Sequence, residues 1–199
     1  MRFWGWTLFG GLILTYLVLA VVSPYMVRFN TSFRNVIART RPIHLRPLMI
    51  MTHRYNDVLS LSLQIIVLAL LIGYVWNDWR RAMIVTTAMF VQTTAVTATK
   101  QLAAVTRPPQ EITHVIMRSG SYPSGHSAAS MTFALLVPAV LAPYLAPAII
   151  GLLATYLFLM ALLTAYGRLF LDVHWLTDIL GAWLISAAVY VLSRLLFRL

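Results

Sequence analysis

The sequence predicts an all-α protein: a six-transmembrane helical bundle with a short amphipathic interfacial segment between spans one and two. Of the 199 residues, 60% are hydrophobic and only 10% are charged, whereas soluble domains carry about a quarter charged residues. Lipid must therefore cover most of the outside. The apolar runs are close to the roughly 20 residues that a bilayer crossing needs. Because no repeat, low-complexity tract or linker interrupts them, we expect one domain over residues 1–199.

Six apolar runs account for the predicted spans. They cover about Trp4 to Val22, Val58 to Trp76, Ala82 to about Arg107, Gly125 to just before Pro143, Pro147 to Tyr166, and Trp175 to about Leu196. The first run could also be a signal peptide, but no clear small-residue cleavage site follows it, which favours a retained span. Six spans put both termini on one side of the membrane. The end of the third and the start of the fourth then reach the other side, as do the end of the fifth and the start of the sixth.

A basic stretch, Arg28 to Arg54, lies between the first two spans. On a helix, one face would carry Phe29, Phe33, Val36 and Ile37, and another would carry Asn30, Arg34 and Arg41. Pro42 would end such a helix. The pattern is typical of an amphipathic segment in the head-group region, and an irregular basic loop is the alternative.

The charge balance restricts the partners and cofactors. The formal net charge is +10 and there is no cysteine, which removes disulfides, thiolate catalysis and cysteine-ligated zinc. The basic residues alternate with spans, so the bilayer and a phosphorylated membrane lipid are the expected partners, rather than nucleic acid. The oligomeric state is left open. The five acidic residues are Asp57, Asp78, Glu111, Asp172 and Asp178. They are too scattered in the sequence for a two-metal site, and we expect neither a metal nor another cofactor.

Three clusters of polar residues fall near the predicted span ends, on the side of the membrane opposite the two termini. Lys100 interrupts an uncharged run, which costs about 2.5–3.5 kcal/mol at the middle of a span; alone, it could simply snorkel to the surface. Arg107 lies seven residues on, and Pro108 follows it. We therefore predict both cations on one face of the helix. Two like charges at close quarters repel each other unless an anion lies between them.

The second and third clusters add histidines. Ser124 is a predicted N-cap of the fourth span, beside Gly125 and His126, and a helix N-terminus binds anions. Taken alone, this is an ordinary cap with a bystander histidine. His174 and Asp178 are spaced i, i+4, so the carboxylate can hold one imidazole nitrogen and leave the other free as a nucleophile. Arg168 precedes them. Alone, this pair could be a polar link between helices.

Taken together, the clusters point to phosphate chemistry. Dispersed cations and helix N–H groups suit the equatorial oxygens of a phosphoryl transition state. One histidine can attack while the other protonates the leaving oxygen.

The three clusters also resemble, in order, the motifs of the type 2 phosphatidic acid phosphatase (PAP2) superfamily. Lys100 through Arg107-Pro108 is similar to its Lys-x6-Arg-Pro motif. Pro123-Ser124-Gly125-His126 is similar to Pro-Ser-Gly-His, and Arg168-x5-His174-x3-Asp178 to its third motif. The match covers about Lys100 to Asp178. Gly167 is a departure, because serine often stands there in the family.

The resemblance implies roles for these residues and an integral membrane lipid phosphatase activity. Lys100, Arg107 and Arg168 would hold the phosphate with Ser124 and the Gly125 amide. His174 would be the nucleophile, oriented by Asp178, and His126 the general acid. Membrane members act on phosphatidic acid, phosphatidylglycerophosphate, polyprenyl pyrophosphates or lipid A. The short loops resemble bacterial members, which favours polyprenyl pyrophosphate and phosphatidylglycerophosphate.

Other functions remain as alternatives. A phosphotransferase of the same superfamily would pass the phosphoryl group to a lipid or sugar instead of water. A serine hydrolase built on Ser124 would need no Lys100, Arg107 or Arg168, and the sequence has no Gly-x-Ser-x-Gly elbow. An anion transporter would more often show inverted repeats, which are not found in the sequence.

Two lines of reasoning on membrane orientation conflict. The resemblance implies an active site outside the cytoplasm and cytoplasmic termini, in the cell membrane. A positive-inside count implies the reverse. The active side would carry ten basic residues: Arg28, Arg34, Arg39, Arg41, Arg46, Arg54, Lys100, Arg107, Arg118 and Arg168. The opposite side would carry five: Arg2, Arg80, Arg81, Arg194 and Arg198. Because phosphate binding accounts for three of the ten, we favour the resemblance.

Overall fold

Helices account for all the regular structure in the part of the chain that the computed structural model describes, residues 2–197 and 199. Arg198, counted above, lies outside the described residues. The helices are α1 (Arg2–Val22), α2 (Val27–Thr40), α3 (Arg46–Tyr55), α4 (Val58–Val75), α5 (Trp79–Ala103), α6 (Gly125–Leu141), α7 (Pro147–Phe170) and α8 (Leu176–Phe197). Single 3₁₀ turns at Ser23–Tyr25 and Ile43–Leu45 flank α2. The all-α prediction is confirmed.

The number of spans is smaller than six when helices are judged by length and apolarity. Four segments are long and apolar enough to cross a membrane: Phe3–Tyr25, Trp79–Ala103, Pro147–Phe170 and Leu176–Phe197. The pair Ile43–Tyr55 and Leu59–Val75, bent by 52°, makes a fifth if it is one broken span. The chain is thus a multi-pass membrane protein. The helix α6 is apolar but only 17 residues long.

The helix α6 is short because protein surrounds it. It packs against α5, α7 and α8, while α1 covers α8, α4 covers α5 and α3 covers α7. Small residues at the α6–α8 contact, such as Ala128 and Ala182, are fully buried and let the helices approach closely. Ser186 of α8 donates a hydrogen bond to the Ala128 carbonyl at 2.8 Å. Contacts with neighbouring helices, rather than with lipid, therefore surround most of this helix.

The basic stretch forms two helices, α2 and α3, where the sequence predicted one short amphipathic helix. Thr40 ends α2 just before Pro42, as predicted. The polar face of α2 turns inward: Asn30 is buried, and its amide donates to the Thr177 hydroxyl at 3.0 Å. Phe29 and Val36 are exposed on the outside. The helix therefore contacts the bundle with its polar face, while Phe33 and Ile37 of the apolar face are half-buried.

Candidate active site

The carboxylate of Asp178 and the imidazole of His174 form a buried pair. His174 lies in the connection between α7 and α8, and Asp178 lies in the first turn of α8. The two groups are 3.1 Å apart, measured from Nδ1 of the histidine to Oδ2 of the aspartate. The same oxygen accepts the Trp175 N–H at 2.8 Å and the Ser121 hydroxyl. This network assigns a proton to Nδ1 of His174 and leaves its Nε2 unprotonated.

The surroundings of His174 favour its neutral form. The ring is 4% exposed. Burial, followed by the charges of Lys100, Arg107 and Arg168, lowers the pKa of His174 well below its ordinary value. Its imidazole is therefore neutral at pH 7 and carries the lone pair that a nucleophile requires.

Lys100 and Arg107 converge, but not as the sequence predicted. The helix α5 ends at Ala103, and Ala104 is left-handed with a φ of 47°. Arg107 is thus in the loop 104–124, and the prediction of one shared helix face was wrong. The loop folds back instead, so that the Gly120 carbonyl accepts from Lys100 Nζ at 3.0 Å and from Arg107 Nη2 at 3.2 Å.

The loop also brings Arg107 to the nucleophile. Its Nη1 donates to the Val173 carbonyl and lies 3.3 Å from Nε2 of His174. These partners of Lys100 and Arg107 are neutral carbonyls and an imidazole. The two positive charges are therefore held in place without being cancelled.

Arg168 lies in the last turn of α7, which continues past the predicted end at Tyr166. It is only 2% exposed. Its Nη1 lies 2.5 Å from Nδ1 of His53, and its Nε has no hydrogen-bond partner in the described part of the chain. The third predicted cation is thus buried with N–H capacity to spare.

The start of α6 holds the second predicted histidine. Ser124 is fully buried, and its hydroxyl oxygen accepts from the Ser127 N–H at 3.5 Å, which makes it the predicted N-cap. His126 is in the first turn, and its Nε2 is buried without a partner among the described residues. The ring of His53 stacks on that of His126, with centroids 4.5 Å apart and planes 23° apart.

A cavity of about 290 Å³ joins these groups. Six of the eight predicted residues line it: Lys100, Arg107, Gly125, His126, Arg168 and His174. Ser124 and Asp178 lie behind it. The cavity continues between α4 and α5, where Leu61, Ile65 and Val96 give it apolar walls. Because Ser62 and Thr93 line the cavity and are also exposed, it opens on the outside surface of the helix bundle.

Sequence reasoning missed His53 and His114. The His114 ring, from the loop 104–124, meets the His53 ring edge-on at 4.7 Å. Nothing in the local pattern separates His53 from His44, which is nine positions upstream and exposed. Only the packing of α3 on α7 brings His53 to the site.

Asp172, which the sequence left unexplained, is a structural ion-pair centre. It is 1% exposed, and its φ of 54° is left-handed, which aspartate tolerates better than most residues. Its oxygens lie 3.0 Å from Nε of Arg34, in α2, and 2.8 Å from Nη1 of Arg41, the residue that follows α2. Arg34 also pairs with Glu111 at 3.0 Å. The network ties α2 to the loop that carries His174.

The remaining acidic residues have separate partners. Asp57 caps α4 by accepting the Ser60 N–H at 2.8 Å, and Asp78 caps α5 through the Arg81 N–H at 2.9 Å. Across residues 2–197 and 199, the histidine, aspartate and glutamate side chains form no group of three placed to hold a metal ion.

A family model for the PAP2 superfamily matches residues 81–198 of this sequence, more than half of the chain. The chain belongs to the PAP2 superfamily. No curated protein matches it closely in sequence. The matched range starts after α4, so His53 and the whole of α2 and α3 fall outside it.

Two solved PAP2 structures have a similar fold. One is the transmembrane PAP2-type phosphatidylglycerolphosphate phosphatase from Bacillus subtilis, with a TM-score of 0.84 and 18% identity over 94% of each chain. The other is LpxE from Aquifex aeolicus, with a TM-score of 0.65 and 21% identity over 83% of this chain and 94% of that one.

The departure from the family's third motif has a steric reason. A Cβ added at Gly167 would lie 3.1 Å from Thr52 Oγ1 and 3.4 Å from Met49 Sδ, both on α3. The glycine therefore allows α3 to approach α7 closely. That approach also places His53 beside Arg168.

Asp172 and Glu111 provide a matched test of the ion-pair network, since each lies 3.0 Å from Arg34. In Asp172→Ala, two mostly buried guanidinium groups lose the buried carboxylate that they share, and breaking a buried pair costs about 3–5 kcal/mol. We expect the thermal unfolding midpoint to fall by roughly 6–20 °C. In Glu111→Ala, which removes a carboxylate that is 60% exposed, the cost should stay below about 1 kcal/mol. Equal midpoints for the two variants would contradict the structural role of Asp172.

Proposed function

We propose that this PAP2 protein is a metal-independent phosphatase of membrane lipids that works through a phosphohistidine on His174. One observation carries the proposal. A neutral, aspartate-held histidine, whose unprotonated Nε2 lies 3.3 Å from Arg107 Nη1, lines a cavity together with three cations, and that cavity opens on the outside surface of the helix bundle. Such a cavity suits a substrate with a phosphate at one end and hydrocarbon at the other.

In the first step, Lys100, Arg107 and Arg168 hold the phosphate oxygens, with the Ser124 hydroxyl and the Gly125 amide. Nε2 of His174 forms a bond to phosphorus while the bond between phosphorus and the lipid oxygen breaks. His126, which is protonated when the phosphate anion is bound beside it, gives this proton to the leaving oxygen. Asp178 stabilises the positive charge that develops on the His174 ring.

In the second step, the now neutral His126 takes a proton from a water molecule. The water oxygen attacks phosphorus and the P–N bond breaks, which releases inorganic phosphate and restores His174. Each histidine ends as it began, so the cycle consumes one water per phosphate. The chain's five carboxylates have their own partners, so none is needed as a metal ligand.

The proposed substrates are polyprenyl pyrophosphate and the glycerolipids phosphatidylglycerophosphate and phosphatidic acid. The Bacillus subtilis neighbour is a phosphatidylglycerolphosphate phosphatase, which supports phosphatidylglycerophosphate as a substrate. The apolar walls between α4 and α5 would take the hydrocarbon of either class. A side-by-side assay of these lipids, with phosphate release as the readout, ranks them.

We also propose six crossings for a single domain, with α6 as a short central one and α4 as the second. The loop 104–124 and the connection from α7 to α8 would then lie outside the cytoplasm, and both termini inside. Of the basic residues on the outer side, Arg34 and Arg41 are paired with Asp172, and Lys100, Arg107 and Arg168 surround the cavity. Those five have roles that do not depend on the positive-inside rule.

Orientation can be tested directly, because the chain has no cysteine of its own. Val115 is 47% exposed in the loop 104–124. A Val115→Cys variant should react with a membrane-impermeant thiol reagent in intact cells. Labelling of this variant only after lysis would place the active site in the cytoplasm.

Chelation and an oxyanion inhibitor test the metal-independent chemistry. We expect phosphate release to continue in excess EDTA and to be inhibited by vanadate, which can occupy a cation-lined phosphate site. His174→Ala, assayed in parallel, gives the background rate. Loss of activity on chelation that a divalent metal restores would overturn the proposal.

Replacing His174 and replacing His126 should reduce the phosphatase activity in different ways. His174→Ala should abolish turnover and the acid-quenched phosphohistidine for every substrate. His126→Ala should lose about 10²- to 10⁴-fold with a lipid, because the leaving alkoxide then lacks its proton donor. That loss should shrink with a nitrophenyl phosphate, whose leaving group needs no proton. Labelled phosphate on His126, or rescue of His174→Ala by the better leaving group, would reverse the assigned roles.

A further inference from the structure

His53 touches two groups of the proposed reaction but takes no part in it as written above. Its Nδ1 meets Arg168 Nη1 at 2.5 Å, and its ring lies flat against that of His126. In the described part of the chain, this is the one hydrogen bond made by the Arg168 side chain. We propose that His53 is a positioning residue that orients both Arg168 and His126 for the reaction. The inference rests on the function proposed above.

The contact with Arg168 fixes the state of the His53 ring. A guanidinium can only donate, so Nδ1 of His53 must accept, and the ring must be neutral with its proton on Nε2. An arginine fork held at one N–H keeps its plane and aims the remaining N–H groups. In Arg168 those include the buried Nε, which has no partner among the described residues and is free for a phosphate oxygen.

The surroundings of His53 keep it neutral. Burial is the largest cause, and together with Arg168, His114 and Arg54 it outweighs Asp57 and lowers the pKa of His53 to about 4. The acceptor therefore persists at neutral pH. The stack on His126 acts on a ring whose Nε2 has no partner among the described residues, so contact with the His53 ring helps to set its orientation.

Two substitutions separate the two contacts of His53. In His53→Asn, the amide oxygen can stand where Nδ1 stood and accept from Arg168, but the aromatic ring is gone. In His53→Phe, a ring of similar shape remains for His126, but the acceptor is lost. His44 is exposed, and His44→Asn and His44→Phe are the matched controls.

We expect the two variants to show opposite defects. His53→Phe should bind vanadate about tenfold more weakly and raise KM for the lipid, because a hydrogen bond to a charged group is lost. His53→Asn should keep vanadate affinity within about threefold and lower kcat instead. Both His44 variants should match the wild type. Wild-type vanadate affinity and wild-type kinetics in folded His53→Phe would overturn the inference.

Vanadate binding, measured by calorimetry in detergent, also separates this inference from the proposed function. If the wild type releases phosphate from no lipid, the proposed function fails, while a vanadate affinity that depends on the acceptor at position 53 still supports His53 as the residue that orients Arg168.

A measurement on the unaltered protein covers the case in which the variants do not fold. With ¹⁵N-labelled histidine, His53 should show an unprotonated Nδ1 and a protonated Nε2 at pH 7. A proton on Nδ1, or a charged ring at that pH, would contradict the contact with Arg168 and with it the proposal.

Discussion

The carboxylate of Asp178 is the group on which the rest of the site depends. A fully buried charge is tolerated only where hydrogen bonds replace water, and here the donors come from separate parts of the chain: Ser121 of the loop 104–124, and Trp175 and His174 before α8. The backbone carbonyl of Asp178 also accepts the Ser124 N–H at 3.1 Å. One residue thus joins the loop, the start of α6 and the start of α8. These elements bring the N-terminus of α6 and the imidazole of His174 to the same cavity.

The cations near the site are of two physical kinds. Arg34 and Arg41 are paired with Asp172, so they hold α2 in place and add little positive potential. Lys100 and Arg107 are held mainly by backbone carbonyls, and Arg168 by an imidazole. Dipoles can orient a cation without neutralising it, so the cavity keeps its attraction for an anion. Part of the net charge of +10 is therefore concentrated at one cavity.

The sequence predicted the helical class, the hydrogen bond between His174 and Asp178 and the N-cap at Ser124, because those features depend on local spacing. It was wrong about the route that brings Arg107 to Lys100: a left-handed Ala104 ends α5, and no residue pattern at an alanine signals such a turn. It predicted six spans, whereas four or five segments are long and apolar enough to cross a membrane. The difference lies in α6, which is apolar but short and is enclosed by other helices, so its length is not set by the thickness of the bilayer. His53 and the partners of Asp172 escaped prediction altogether, since they meet the site only through packing between elements distant in the chain.

The N-terminal 80 residues, which the family match does not reach, determine from which side the cavity that the motif residues line is open. The helix α3 lies against α7 at Gly167 and brings His53 beside Arg168. The ion pair of Arg34 with Asp172 holds α2 against the connection between α7 and α8, which carries His174. With α2 and α3 on that side, the described walls of the cavity continue between α4 and α5. A phosphate on a hydrocarbon chain suits such a route, because its tail can stay among apolar side chains while its head reaches the cations. In the proposed reaction, the motif residues supply the phosphate chemistry, and the elements that precede them set the direction from which a substrate approaches.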